Sequence, residues 1–184
     1  MTAKPSYIPP EINYEESLKK HQLIYKMTGW RMIATFVYYL LFCGTLAILT
    51  ELLFSDFYRD ALFIKAICLL IAIWIIVNIF FNNLLVKISC NNSKPNKNDI
   101  LETMYEFFPA YNFTVNNKQM MRSVAYVGRR YVMHTVITIL FDNDSIYLNV
   151  ATLGATNLPS FVHGILNYIK AKRIAKYFKS HYGA

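Results

Sequence analysis

Two long apolar blocks dominate the hydrophobic pattern of the chain. The first covers residues 32–54, the second covers residues 61–86, and residues 55–60 between them hold two aspartates and an arginine. A helix needs about 20 mostly apolar residues to cross a membrane, and each block supplies that length. Because the break between the blocks is short, the pattern predicts a two-helix transmembrane hairpin over residues 32–86.

The basic residues that flank the blocks predict how the hairpin is oriented. Four Lys/Arg residues lie shortly before the first block and three follow the second, whereas the break holds only Arg59. An excess of Lys and Arg marks the cytoplasmic flanks of membrane helices. We therefore expect an integral membrane protein, of a bacterial inner membrane, with both termini in the cytoplasm.

The regions next to the hairpin are polar and less regular. Residues 1–31 are read as a tail and a short helix, because Asn13 and Glu16 have the spacing of a capping box. This helix is expected to run through Met27, and it either lies in the membrane interface or continues the first membrane helix into water. Residues 87–95 are read as a linker to the C-terminal domain.

Residues 96–184 show helical, strand-like and again helical patterns, in that order. Asp99 begins a helix that Pro109 ends, and a second, amphipathic helix is expected from Pro159 to about His181. The strand-like runs between them are residues 111–115, 121–127, 131–141 and 146–151. The predicted fold class is α+β: a transmembrane hairpin followed by a small cytoplasmic domain of one helix, three to four antiparallel strands and a C-terminal amphipathic helix.

The formal charge of +8 is concentrated in the C-terminal part of the chain. Residues 87–184 contain twelve Lys/Arg and five Asp/Glu, whereas the hairpin region is close to neutral. A basic surface favours acidic partners such as anionic lipid. The alternative is a solvated cytoplasmic surface with no specific partner.

Two groups of basic residues are candidates for such a contact. Arg129 and Arg130 lie between two strand-like runs, where they either bind an acidic partner or belong to a solvated loop. In the last helix the basic and apolar residues separate at helical spacing. One side holds Lys172, Lys176 and Lys179, and the other holds Leu166, Ala171, Ile174, Tyr177 and Phe178. Such a helix fits the lipid headgroup region, or it packs on the domain with a charged outer face. Nucleic acid is an unlikely partner because few aromatic residues are interleaved with these lysines.

Little in the sequence points to catalysis. His134, on the central strand, is the one catalytic candidate, and a structural histidine is the more common case there. Glu106 is the only carboxylate of the C-terminal domain without a role as a cap or turn residue. The histidines and cysteines lack metal-ligand spacing, and no glycine-rich phosphate loop is present. We expect neither a cofactor nor a metal, and no enzyme.

Small residues at matching depth predict how the two membrane helices contact each other. Cys43 and Ala47 in the first block form a small-xxx-small pair, and Cys68 and Ala72 form another in the second. Small residues let two membrane helices approach closely. The alternative is that these faces bind helices of another subunit.

Polar residues within the blocks extend the same prediction. Glu51 and Lys65 lie at similar depth, each about one helical turn from the external break. Asn78 lies nearer the cytoplasmic end, at a depth similar to that of Tyr38 and Tyr39. An amide in hydrocarbon needs a hydrogen-bond partner, and a tyrosine hydroxyl can supply it.

Together these patterns favour a protein that works by binding at a membrane. The first hypothesis is an accessory or adaptor subunit of a membrane complex, or an immunity-type inhibitor, whose partner is another membrane protein or a second copy of the chain. The second is a module that binds or senses anionic membrane lipid through the basic amphipathic C-terminal helix. An enzyme that uses His134 is the third.

Overall fold

The computed structural model describes ten stretches of the chain. These are residues 11–26, 29–54, 62–89, 97–109, 113–116, 118–127, 133–142, 145–154, 160 and 162–182. The break at residues 55–60, residues 90–95 of the predicted linker, and Arg129 and Arg130 lie outside these residues.

Two long helices correspond to the two apolar blocks. Helix α2 covers Gly29–Phe54 and helix α3 covers Leu62–Asn82. Within them, Thr35–Phe54 and Lys65–Asn82 are long and apolar enough to cross a membrane. Helix α3 is four residues shorter at its C-terminal end than the predicted second span.

The rest of the chain forms an antiparallel sheet with helices, so the α+β prediction is confirmed. The strands are β1 (Val86–Ser89), β2 (Phe113–Asn116), β3 (Met120–Val127), β4 (Met133–Asp142) and β5 (Ser145–Gly154). Their order in the sheet is β1-β5-β4-β3-β2. The four later strands follow one another as a meander, and β1 pairs with β5 at the opposite edge.

Strand β1 corrects the predicted count of three to four strands. The sequence pattern assigns Val86 to the second span and Lys87 to the linker. In the structure Val86 pairs with Leu148 and Ser89 pairs with Ser145. Val86 and Ile88 are buried while Lys87 is exposed, which is the alternation of a strand with one covered face.

Two helices cover one face of the sheet. They are α4 (Lys97–Phe107) and α5 (Gly164–Tyr182). The core between helices and sheet includes Ile88, Ile100, Met104, Met121, Ile139, Leu148, Ile174 and Phe178. Burying each such side chain stabilises the fold by about 1.5–3 kcal/mol, so this layer is the main source of stability.

The N-terminal segment covers part of the other face. Its helix α1 spans Tyr14–Lys20 and is capped by Asn13, whose side-chain oxygen accepts from the Glu16 N–H at 3.5 Å. The Asn13 amide also donates to Glu16 Oε2 at 3.0 Å. The helix ends earlier than predicted, because His21 adopts a left-handed conformation with φ of 52°. It is therefore not continuous with α2.

After α1 the chain turns back and joins the connection between α3 and β1. The Leu23 N–H donates to the Asn83 carbonyl at 2.7 Å, and the Leu85 N–H donates to the His21 carbonyl at 3.0 Å. The buried side chains here are Ile12, Leu23, Leu85, Leu140 and Tyr147. The segment 11–26 thus belongs to the same folded unit as the sheet.

Candidate functional site

The last two turns of α3 are built into the sheet domain through polar contacts. Asn78 and Asn82 are fully buried although they lie in the apolar stretch Lys65–Asn82. The Asn78 side chain donates to the Trp74 carbonyl at 2.9 Å and accepts from the Ile165 N–H at 3.1 Å. The first N–H groups of a helix have no partner within that helix, so Asn78 caps α5 from a different element.

These contacts differ from the partner that the sequence indicated for Asn78. A hydroxyl of Tyr38 or Tyr39 was expected, whereas the amide is satisfied by Trp74 and Ile165. Both tyrosines lie in α2, but their side chains are outside the described part. The cause of the difference is that α5 packs on the end of α3, which brings an unpaired helix terminus next to the amide.

A glycine permits this close approach of α5 to α3. Gly164 is buried at the start of α5, and a Cβ atom at this position would overlap the backbone carbonyl of Asn78. The two helices therefore meet backbone to backbone. Phe81 and Tyr168 extend the contact, with ring centroids 4.9 Å apart.

Asn82 and Asn149 connect the end of α3 to the sheet. Asn82 donates its side-chain N–H to the Ser160 carbonyl. Asn149, on β5, donates to the carbonyls of Asn82 and Leu84 at 3.0 and 2.9 Å. The side-chain oxygens of Asn82 and Asn149 are buried without a hydrogen-bond partner in the described part of the chain.

The turn before α5 contributes Ser160 to the same group of contacts. We call this group the polar junction, and its residues are Asn78, Asn82, Asn149, Ser160 and Gly164. The Ser160 N–H donates to the Thr152 carbonyl at 2.8 Å. The Ser160 hydroxyl lies 2.6 Å from His163 Nδ1 and accepts from the Val162 N–H at 3.3 Å. This serine is buried and its hydroxyl stabilises the turn, so the Ser160–His163 pair has a structural explanation.

The structure places the two predicted small-residue pairs of α2 and α3 differently. Cys68 is buried and Ala72 is half-buried, but Cys43 and Ala47 are exposed, so this pair of α2 does not line the contact with α3. The half-buried positions of α2 include Thr35, Phe42 and Leu49, spaced by seven residues. That spacing is typical of a seam between two helices. The small pair of α2 is instead available to another partner.

The other predicted pair in the hairpin is not joined directly. Glu51 is exposed and Lys65 is half-buried. No ion pair links these two described side chains, whereas Lys20–Glu16 and Lys26–Glu11 form ion pairs in the N-terminal segment.

Helix α5 uses its apolar side for the core and exposes its basic side. Ala171, Ile174 and Phe178 are buried against the sheet, as expected for a packing helix. Lys172, Lys176 and Lys179 are exposed. Lys172 Nζ lies 4.9 Å from the centre of the Tyr168 ring.

Leu166 does not follow the prediction for this helix. The sequence groups it with the apolar side, but it is exposed together with Val162 and Ile169. The helix therefore presents both apolar and basic residues to its surroundings. Lys170 Nζ lies 4.0 Å from the centre of the Phe108 ring, and desolvation of the ammonium group lowers its pKa.

Polar contacts also join α5 to α4. Tyr182 donates to Glu102 Oε2 at 3.0 Å. A hydrogen bond to Glu106 raises the pKa of Tyr177 to about 12, because the protonated phenol is the form that can donate to the carboxylate. Glu106, the carboxylate without an evident role in the sequence, thus has a structural one.

A buried polar row crosses the face of the sheet that the N-terminal segment partly covers. Arg122, Thr138 and Asn149 are neighbours on β3, β4 and β5, and all three are buried. Arg122 Nε donates to Thr138 Oγ1 at 3.3 Å. Arg122 is not among the residues predicted from the sequence to have a role, although a charged residue inside an apolar strand pattern is a usable signal.

Neither His134 nor the comparisons with known proteins assign a reaction to this chain. His134 pairs with Tyr126 and Leu153 in the sheet, and its side chain lies outside the described part. Within the described ranges, no group of three His, Cys, Asp or Glu residues could hold a metal ion. Neither family models nor curated proteins nor solved structures gave a match to the chain.

Proposed function

We propose that this chain is a non-enzymatic, membrane-anchored binding protein. Helices α2 and α3 span the membrane as a hairpin, and the α+β domain lies on the cytoplasmic side together with both termini. In this role the protein is an accessory or adaptor subunit of a membrane complex, or an immunity-type inhibitor, and its partner is another membrane protein.

The exposed surface of the two long helices supports the anchoring. None of the described side chains of Thr35–Phe54 is fully buried by the rest of the chain. Soluble monomers rarely expose continuous apolar patches larger than a few hundred Å². Lipid around α2 and α3 removes this apolar surface from water.

The polar junction is the observation that carries the proposal. Asn78 and Asn82 are parts of α3, yet they are buried in contacts with α5, Ser160 and β5. The domain therefore packs directly on the end of a membrane helix and is fixed there by hydrogen bonds. This arrangement suits a protein that presents one surface at a fixed height above the membrane.

The topology is tested by cysteine labelling in intact cells. A single cysteine at Asp56 is expected to react with an impermeant maleimide from outside, and one at Ser93 only after permeabilisation. The native cysteines are replaced by serine in both variants. The reverse pattern, or labelling of both positions from outside, would refute the orientation.

The partner contact is tested on the exposed small pair of α2. A helix of another subunit can approach closely at Cys43 and Ala47, so Ala47→Leu is expected to release a protein that co-purifies stoichiometrically in mild detergent. Ala66→Leu is the matched control, because Ala66 is an exposed alanine of α3. Equal retention of the partner in both variants would argue against this contact, and the absence of any stoichiometric partner would argue against an adaptor.

A further inference from the structure

The outer side of α5 carries a line of exposed residues that changes from apolar to basic. Val162, Leu166 and Ile169 are 48%, 59% and 42% exposed, and Arg173 and Lys176 are also exposed. Leu166, Ile169, Arg173 and Lys176 are spaced by three and four residues, which places them within about 80° on one side of α5. Val162 lies in the turn directly before the helix. We call these five residues the α5 stripe.

The apolar end of the α5 stripe lies next to the cytoplasmic end of α3. The first turn of α5 is hydrogen-bonded to Asn78, which is four residues, or about 6 Å, before the last residue of α3. The Phe81 and Tyr168 rings, with centroids 4.9 Å apart, connect the two helices, and the Phe80 ring lies 5.7 Å from that of Phe81. Phe80 is itself exposed on α3.

We propose that the α5 stripe contacts an anionic membrane leaflet, with its apolar end at the acyl boundary and Arg173 and Lys176 at the lipid phosphates. The inference rests on the proposed membrane anchoring, because α3 then places the start of α5 at the boundary between hydrocarbon and headgroups. The contact fixes the orientation of the whole domain on the membrane.

The dimensions of the stripe agree with those of a lipid interface. Leu166 and Arg173 are seven residues, or about 10 Å, apart along the helix. The headgroup region of one leaflet is about 5–8 Å thick, and the long arginine and lysine side chains can extend to the phosphates.

Charge favours lipid over an acidic protein or a second copy as the occupant. The α5 sequence contains five Lys/Arg and no Asp/Glu, so two copies of this helix repel each other. An acidic protein would explain the basic residues but not the three exposed apolar residues at the membrane end. An anionic bilayer supplies both chemistries in the order in which α5 presents them.

The depth of the stripe is tested with a fluorescent label on the full chain in vesicles of phosphatidylcholine and phosphatidylglycerol. Cys43, Cys68 and Cys90 are replaced by serine, and a single cysteine at Leu166 carries a polarity-sensitive dye. We expect quenching by a nitroxide-labelled lipid and protection from aqueous iodide. The same label at Tyr105, an exposed residue of α4, is expected to show the opposite behaviour.

A label at Ile71 separates this inference from the proposed function. Ile71 is an exposed residue in the middle of α3, so it reports the anchoring alone. Lipid quenching at Ile71 with a water-exposed Leu166 would refute the stripe and leave the anchoring intact. A water-exposed Ile71 would refute both.

The headgroup contact is tested by reversing charges. Arg173→Glu with Lys176→Glu is expected to expose the label at Leu166, since each basic residue contributes about 1 kcal/mol, or roughly fivefold in affinity, near an anionic leaflet. Lys118→Glu with Lys179→Glu is the matched control, because both lysines are exposed and off the stripe. Equal effects of the two double variants, or no effect of phosphatidylglycerol, would overturn the assignment to lipid phosphates.

Discussion

At the scale of single residues, buried asparagines determine how the apolar helix α3 meets the domain. An amide at the end of an apolar helix is costly to bury unless its donors and acceptor are used. The sequence correctly indicates that Asn78 needs a partner, but it does not identify Ile165, which follows 87 residues later. Only the packing of α5 on α3 brings these groups together.

The contact at Gly164 gives the first prediction. Gly164→Ala places a methyl group against the Asn78 backbone and is expected to lower the free energy of unfolding by about 1–3 kcal/mol. Gly44→Ala is the matched control, because no atom lies within 4 Å of its Cβ position and alanine favours a helix by at most about 1 kcal/mol. Thermal unfolding in detergent, followed by circular dichroism, measures both. Equal stability of the two variants would contradict the backbone contact.

The hydrogen bond between Tyr177 and Glu106 gives a prediction for high pH. The pKa of Tyr177 is raised from 10.0 to about 12, so the folded state holds this proton more tightly than the unfolded chain. The stabilising contribution is therefore complete below pH 10 and is lost as the pH rises through 12. The difference in phenolate absorbance between the wild type and Tyr177→Phe gives the midpoint.

The control for this titration keeps the tyrosine and removes the carboxylate. Glu106→Gln is expected to move the Tyr177 midpoint towards 10, because the phenol loses its hydrogen bond to a carboxylate and the neutral amide no longer repels the phenolate. A midpoint near 12 that persists in Glu106→Gln would show that another group raises the pKa.

At the scale of elements, local patterns predicted most of the helices and strands. The two apolar helices, α4 and the four strands of the meander correspond to predicted segments, with shifted ends. Strand β1 was missed because residues 84–86 continue an apolar run and its partner β5 begins at Ser145. Helix α1 was predicted too long because the left-handed turn at His21 has no glycine to mark it. In both cases the deciding contact is distant in sequence.

The hairpin seam gives a prediction for disulfide crosslinking. With Cys43 and Cys90 replaced by serine, Leu49→Cys is expected to form a disulfide with Cys68 within one chain. Leu49 is half-buried, and it lies five residues from the end of α2, while Cys68 lies six residues from the start of α3. Ile48→Cys is the matched control, because the neighbouring side chain is 64% exposed and is expected not to react.

Native Cys43 provides a negative test of the same contact between α2 and α3. Its exposed position predicts no linkage with Cys68 inside one chain. An efficient Cys43–Cys68 disulfide within a folded monomer would restore the small-residue contact first inferred from the sequence. Links between chains would instead indicate that another helix contacts the exposed side of α2.

At the scale of the whole molecule, the folded unit does not follow the chain divisions that the sequence indicates. Residues 96–184 were read as the C-terminal domain after a linker, but the sheet also includes β1, and the end of α3 is hydrogen-bonded to β5. The N-terminal segment, read as a separate tail, covers Leu140 and Tyr147 of the sheet. Hydrophobic patterns reveal each piece, whereas the assembly of distant pieces leaves no local signal.

This assembly predicts that a fragment of residues 96–184 does not fold cooperatively, whereas a fragment of residues 83–184 is more stable. The longer fragment restores the burial of Val86 and Ile88, each worth about 1.5–3 kcal/mol, and one bond from Asn149 to Leu84. Because whole domains are stable by only about 5–15 kcal/mol, this difference is decisive.

Urea unfolding and amide chemical-shift dispersion compare the two fragments. Neither fragment contains the N-terminal segment, so the comparison isolates the effect of β1. A synthetic peptide of residues 11–26 is expected to stabilise the longer fragment, since its main-chain contacts are to Asn83 and Leu85. Cooperative unfolding of both fragments at the same urea concentration would show that the sheet does not depend on β1.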